Sequence, residues 1–324
     1  MNELNVKIGR SSFGLIQGAK HAFSGLNKGI RNEDSARRYK PYRTVILFMI
    51  LSLQCLLGLA QSGWVKPKGE LYARAGIGLF SSDQYYNLSG ELLTTARFQQ
   101  LSLNLYGEYG LTDRLDVILN WPAFKAHGFE TTNTVAGLGD ISLGLKYGLL
   151  RGPIPVSITL MPDFPTGNRN LFAQNKEIAF ERINLPTGDG EFNLHTTLAA
   201  SYGFGSAPFY LNLFGDYNYR TGFAGNDFLD QWTVGTEFGW EPVSNLWVKA
   251  NLRMQESIGQ PTQLVDFIRS DGTTFTAYGV GAYYRFAERW GVDLTYQGFA
   301  DFLVPRRNLY SAPFIGLGLV YERK

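Results

Sequence analysis

The sequence predicts an all-β fold, a transmembrane antiparallel up-and-down β-barrel of about twelve strands, behind a cleaved signal peptide. Three observations carry this. Many segments alternate apolar and polar residues at period two. The connections between them are alternately short and long. An apolar run near the N-terminus has the flanks of a secretory signal. In segment 100–111, Leu101, Leu103, Leu105 and Tyr109 share one face, and Ser102, Asn104, Tyr106 and Glu108 share the other. In segment 141–149, Ile141, Leu143, Leu145 and Tyr147 oppose Ser142, Gly144, Lys146 and Gly148. A strand turns successive side chains to opposite faces, so each such strand has one oily and one polar side.

The apolar run spans 44–60 and follows Arg37, Arg38, Lys40 and Arg43. The small-residue site Gly58-Leu59-Ala60 closes it before Gln61, which reads as signal-peptide cleavage after Ala60. Residues 1–60 are therefore expected to be presequence and signal, and 61–324 the barrel. A permanent anchor helix would need about 20 apolar residues, more than this run supplies. Segment 1–40 is long for the region before a signal core, which raises a start further along the chain. Arg37-Arg38 is followed by Tyr39-Lys40-Pro41, not by the apolar residues of a twin-arginine signal. Cys55 is the single cysteine, and Gln54 before it makes a poor lipidation site. The mature chain is then expected to lack disulfides and thiolate metal sites.

Composition agrees with a membrane barrel. The 324 residues carry a net charge of +2, which gives no reason to expect nucleic acid. Charged residues are 18% and aromatic residues 15%, with 37 Gly and 18 Tyr. The mean hydropathy of −0.13 excludes a bundle of membrane helices. A soluble barrel, which also alternates, would carry more charge on its outside.

The strands read as 69–80, 99–111, 114–122, 138–150, 155–163, 191–204, 208–220, 230–241, 245–257, 274–286, 289–302 and 310–322. Short links such as Leu111-Thr112-Asp113-Arg114, Arg151-Gly152-Pro153-Ile154 and Ala287-Glu288-Arg289 carry turn chemistry. Long links fall near 81–98, 122–137, 164–190, 221–229, 258–273 and 303–309. Short periplasmic turns and long outer loops are the rule for this class, and an even strand count puts both chain ends on the periplasmic side. Trp240, Trp290, Tyr202, Phe204, Phe209 and Tyr321 flank the short turns, while Trp121, Tyr219, Trp232 and Phe302 lie near the long loops, as two interfacial girdles require. The lipid of a bacterial outer membrane is then the expected surrounding.

On this register the basic side chains Arg74, Lys146, Arg220, Lys249, Arg253 and Arg285 point inward. So do the acidic Glu108, Asp116, Asp140, Asp216, Glu237 and Asp293, together with His195. An Arg or Lys facing mid-bilayer lipid would cost about 2–4 kcal/mol, so the lumen is the cheaper direction. These thirteen are the candidate lumen-lining residues. Twelve strands at ~4.8 Å spacing and ~40° tilt give a backbone diameter of roughly 24 Å, a narrow pore once side chains are added.

Two motifs carry a family resemblance. Gly137-Leu138-Gly139-Asp140-Ile141-Ser142-Leu143-Gly144-Leu145-Lys146-Tyr147 resembles the "GLGD…LGLKY" strand of the MetA-pathway phenol-degradation family of outer-membrane proteins. Pro165-Thr166-Gly167 and Pro186-Thr187-Gly188 resemble that family's entry into the following outer loop, and here the motif occurs twice. The resemblance covers about 65–324. It implies passage of small, often aromatic or hydrophobic, compounds across the outer membrane, and no catalytic residues.

Some barrels of this size are lipid-modifying enzymes built on a His with a Ser or Asp. Of the three His, His21 is in the presequence, His127 is assigned to an outer loop, and His195 lies mid-strand among inward polar residues with no Ser two positions away. No metal-ligand spacing, phosphate loop or nucleotide motif is present. The expected function is therefore a narrow channel or transporter for small solutes, with no cofactor, metal or catalytic site. A structural surface barrel with a closed lumen and a lipid-modifying enzyme remain as alternatives. Loop 164–190, with Phe164, Phe172, Ile178, Phe180 and Ile183, is expected to pack as a lid.

Overall fold

The computed structural model describes residues 62–178, 180–205, 207–223, 227–259 and 271–324. The signal segment, its cleavage site and Cys55 lie outside them. Sixteen strands are formed among the described residues: β1 Leu71–Tyr86, β2 Leu92–Thr112, β3 Leu115–Phe129, β4 Val135–Gly137, β5 Ile141–Leu150, β6 Val156–Phe164, β7 Phe172–Gln174, β8 Arg182–Asn184, β9 Asn193–Gly203, β10 Phe209–Arg220, β11 Gln231–Val243, β12 Leu246–Ser257, β13 Phe275–Arg285, β14 Trp290–Ala300, β15 Leu309–Tyr310 and β16 Phe314–Arg323.

Twelve of these close an antiparallel barrel in the order β1-β2-β3-β5-β6-β9-β10-β11-β12-β13-β14-β16. β16 returns to β1, with Leu71 opposite Arg323 and Leu79 opposite Ile315. Closure leaves no unpaired edge, which is the condition for a sheet in lipid. Both ends of the barrel chain meet at one rim. Of the other strands, β4 pairs with the outer end of β3, β15 with the outer end of β1, and β7 with β8 in a separate hairpin.

Two long outer loops are shorter than the sequence implies. β1 continues to Tyr86 and β2 begins at Leu92, so the link expected at 81–98 is mostly a paired hairpin. Ser81, Ser82, Asp83 and Gln84 carry no oily face, but a ladder above the membrane needs none. Likewise β3 runs to Phe129, past Pro122, which reads as a strand stop. Asn104 pairs with Pro122 while Leu103 pairs with Phe124, so Ala123 is an extra residue at a bulge. Bulges are where a proline is tolerated inside a sheet. His127 is consequently not in an outer loop. It lies on β3, buried and facing inward.

The two faces separate as the alternation requires. Leu143, Leu145, Leu198, Leu213, Val248 and Leu294 are exposed on the outside, whereas Ser142, Lys146, Thr197 and Asn212 are buried inside. Aromatic pairs ring the short-turn end: Tyr202 with Phe204 at 4.9 Å, Phe209 with Trp240 at 6.3 Å, and Trp290 with Tyr321 at 5.0 Å between centroids. Leu145 is 52% exposed and Lys146 0%. Leu145→Arg should therefore cost about 2–4 kcal/mol against lipid and deplete the heat-modifiable folded band on gels, while Lys146→Gln leaves that band intact. The opposite ranking would mean a register slipped by one residue.

Candidate functional site, the barrel lumen

The chain ahead of β1 turns into the mouth of the barrel at its short-turn end. It leaves the wall at Gly69, whose N–H donates to Gly110 O at 2.8 Å. Lys66 N–H then donates to both carboxylate oxygens of Asp116 on β3, at 3.1 and 3.0 Å. Ser62 O accepts from Ser157 Oγ on β6 at 2.9 Å, and Ser62 Oγ lies 3.4 Å from Lys146 Nζ. Gly63 N–H donates to Ser201 Oγ on β9 at 2.7 Å, and Trp64 meets the Tyr210 ring of β10 edge-on at 5.7 Å. These contacts fall on β2, β3, β5, β6, β9 and β10, consecutive in the barrel order, so the strap covers that half of the mouth. A Cβ on Gly63 would stand 2.1 Å from Pro155 O, so only glycine lets the strap seat this closely.

The strap feeds a polar network. Ser201 Oγ donates to Asn212 Oδ1 at 2.6 Å, and Glu237 accepts from Tyr210 Oη at 2.7 Å and from Asn212 Nδ2 at 3.3 Å. Asp116 and Lys146 are thus buried against the strap, and Glu237, half-buried, is joined to its supports. Glu108 accepts from Tyr106 Oη on the same strand.

On the opposite side, charge is laid flat on the wall. Arg74 of β1 reaches across β16 to Asp293 of β14, with Nε–Oδ1 at 2.7 Å and Nη2–Oδ2 at 2.9 Å. Gly318 lies beneath this pair. A Cβ there would come within 2.1 Å of Asp293 Oδ1 and 2.6 Å of Arg74 Nε. Gly76 and Gly316 extend the same thin strip. Several inward residues from β12 to β2, among them Lys249, Asn251, Asp293, Thr295, Arg74 and Asn104, remain partly exposed, while Ser102 and Gln297 are buried. Those from β3 to β10, including Asp116, Asn120, Lys146, Thr159, Thr197 and Asp216, are buried. The lumen is therefore packed on one side and wet on the other.

His195 belongs to the packed side. Its Nδ1 is 2.8 Å from Asp216 Oδ2 and its Nε2 is 3.5 Å from Asp163 Oδ2, while Thr197 Oγ1 donates to Asp216 Oδ1 at 2.7 Å. Arg220 is nearer the outer end, paired with Glu191 and lying over the Phe228 ring at 5.0 Å. Arg285 sits at the periplasmic rim, donating to Asn245 Oδ1 from Nε at 3.0 Å and Nη2 at 2.6 Å. Among the described residues no group of three His, Cys, Asp or Glu is placed to hold a metal ion.

Asp140, one of the thirteen candidates, binds backbone at the base of the outer loop. It precedes β5, and its carboxylate ties both Pro-Thr-Gly turns together, accepting from Gly167 N–H at 2.8 Å and Asp189 N–H at 2.9 Å. Gly167 and Gly188 are packed so closely that a Cβ on the first would lie 2.7 Å from the Cα of the second. Lys125 Nζ donates to Thr187 O at 3.0 Å, and His127 Nε2 lies 2.9 Å from Leu185 O. The base of loop 164–190 is therefore docked inside the outer end. Its tip does not pack as a lid: Phe172, Ile178 and Phe180 are exposed, Phe180 by 98%.

The sequence reading missed one element of the lumen. Above the wet strip, Phe80, Phe275, Phe299, Leu309 and Tyr310 form a buried cluster with Ala277, and Tyr85, Phe98 and Phe314 pack against it. Tyr310 stacks on Phe98 with centroids 4.9 Å apart and planes at 4°. The available signal was an aromatic residue in a polar row: Phe80 follows Gly76 and Gly78 on the inward parity of β1. The loop beyond β14 is held by Arg306, which donates to Asp301 at 2.9 and 2.6 Å and holds that carboxyl below its usual range.

With this geometry described, the fold resembles solved structures. The COG4313 outer membrane channel from Pseudomonas putida F1 is 16% identical, with a TM-score of 0.60 over 80% of this chain and 97% of that one. The chain has the fold of an outer-membrane β-barrel. The translocator domain of the autotransporter NalP from Neisseria meningitidis is 10% identical, with a TM-score of 0.47 over 79% of this chain and 89% of that one. The NanC porin is 10% identical, at 0.46 over 78% and 98%. No family model matches the sequence, and no curated protein matches it.

Proposed function

We infer that this barrel resides in the bacterial outer membrane and passes small solutes, favouring those with an aromatic or apolar body. The observation that carries the reading is the stacking of two zones on one side of the lumen. The aromatic cluster around Phe80 and Tyr310 lies toward the outer end, and the thin polar strip of Arg74, Asp293 and their glycines lies below it. Apolar solute is received by rings, and water is retained by the charged strip. The GLGD strand and paired Pro-Thr-Gly turns support a place in the MetA-pathway phenol-degradation family.

The barrel is read as a non-enzyme. The one His with carboxylates at hand, His195, faces inward from a packed wall, with Thr197 Oγ1 already donating to Asp216. A closed structural barrel is favoured by the strap, which fills the mouth along β2 to β10. Liposome swelling separates the two readings. The channel predicts entry of small aromatic solutes and exclusion of macromolecules. A barrel sealed to ions and to small aromatics, with or without its strap, would leave the structural role as the better account.

A further inference from the structure

We propose that Arg253 and Gln297 form a solute subsite for the carboxylate of an amphipathic organic acid, whose apolar body lies against Phe275 and Phe299. This deepens the channel reading and rests on it for the solute's route.

The argument starts from charge. Two other arginines inside the barrel have carboxylates: Arg74 has Asp293 and Arg220 has Glu191. Arg253 has no carboxylate partner among the described residues. Its Nη2 makes one long hydrogen bond to Gln297 Oε1, at 3.5 Å. Its Nε is shielded from solvent and has no partner among the described residues, and the same holds for Gln297 Nε2. Arg253 is half-buried, but its shielded Nε and the amide of Gln297, 8% exposed, are donors without an acceptor, and that is costly. Nothing among the described residues explains why these groups would be retained together. A ligand that brings oxygen and negative charge does.

The backbone register shows how they meet. Arg253 on β12 is opposite Ala277 on β13, which is opposite Phe299 on β14, and Gln297 is opposite Gly279. Ala277 is small, and the space over Gly279 is taken by the Asn251 amide, whose Oδ1 would lie 2.8 Å from a Cβ there. The Arg253 guanidinium lies 5.7 Å from the Phe275 ring centroid, and Phe275 meets Phe299 edge-on at 5.3 Å. One side of the site is thus a planar fork that matches a carboxylate, with an amide donor beside it. The other side is the flank of the buried aromatic cluster, in which Phe275 is 2% and Phe299 9% exposed, so the apolar body of a solute reaches these rings by parting the cluster. A neutral hydrocarbon would use only the rings, and an amine would be repelled by Arg253.

The test uses the full folded barrel in detergent, with 4-phenylbutyrate and 4-phenylbutylamine as probes and binding read by isothermal titration and saturation-transfer NMR. The carboxylate should bind at least about tenfold more tightly than the amine, the discrimination equivalent to ~1.4 kcal/mol. Arg253→Gln should abolish that preference, and Phe275→Leu should weaken both probes while keeping it. If Arg253→Gln does not yield the folded, heat-modifiable form, Gln297→Leu takes its place and should lower carboxylate affinity alone. Equal binding of the two probes, no measurable binding, or a preference untouched by these variants would overturn the proposal. Binding is read without transport, so the channel reading fails separately. Carboxylate binding in a barrel that passes no solute leaves the subsite standing and removes the channel. Solute passage without carboxylate preference does the reverse.

Discussion

Removing residues 62–68 should raise the conductance of the reconstituted barrel several-fold. The strap these residues form is anchored at the wall by Gly69 and Gly110, at mid-span by Asp116, and on the far side by Ser201 and Tyr210. It adds nothing to the closed ladder, since β1 begins at Leu71 and pairs on both sides from there. Its loss should therefore open the periplasmic mouth and leave folding intact. Gly63→Leu is the point-mutant counterpart, because any side chain at that position collides with Pro155 O. Single-channel recording in planar bilayers checks both. Unchanged conductance in the deletion would show that the strap does not restrict passage and that the constriction lies at the outer end.

Asp140→Ala should free the outer loop. The carboxylate accepts two backbone N–H bonds, one from each Pro-Thr-Gly turn. Hydrogen bonds to a charged group contribute about 1.5–3 kcal/mol each, so about 3–6 kcal/mol of local stability is at stake. The barrel ladder is untouched, and the loss falls on residues 165–190. Limited proteolysis of intact cells or of purified barrel should show faster cleavage there, with the heat-modifiable shift retained. Gly188→Ala should act in the same direction, since its Cβ would lie 2.3 Å from Asp140 Oδ1. Unaltered proteolysis in both variants would mean that Lys125 and His127 alone hold the loop.

These predictions differ in how much of their basis was legible in sequence. The inward direction of Lys146 and the outward direction of Leu145 followed from alternation, because a barrel wall leaves each side chain two choices and lipid penalises one. Most strand boundaries followed for the same reason, within a few residues. The hairpin of β1 and β2 beyond Ser81 did not, since it stands outside the membrane and carries no oily face to announce it. Pro122 concealed the outer half of β3 and, with it, the inward position of His127. Asp140 could be placed at the start of a strand, but its bond to Gly167 and Asp189 spans up to 49 residues of chain. No local pattern encodes that.

The sequence by itself determined the all-β class and its period, the closed up-and-down order of strands, and which residues face lipid. Those properties follow from nearest-neighbour geometry and from the cost of placing charge in hydrocarbon. Only the tertiary structure decided how the lumen is used: that Asp116 holds a strap, that Arg74 lies flat across Gly318, that Arg253 has no carboxylate partner among the described residues and that Phe80 meets Tyr310. Curvature brings residues from distant strands together across an interior where partners are selected by distance, and distance around a barrel is not written in the order of the chain.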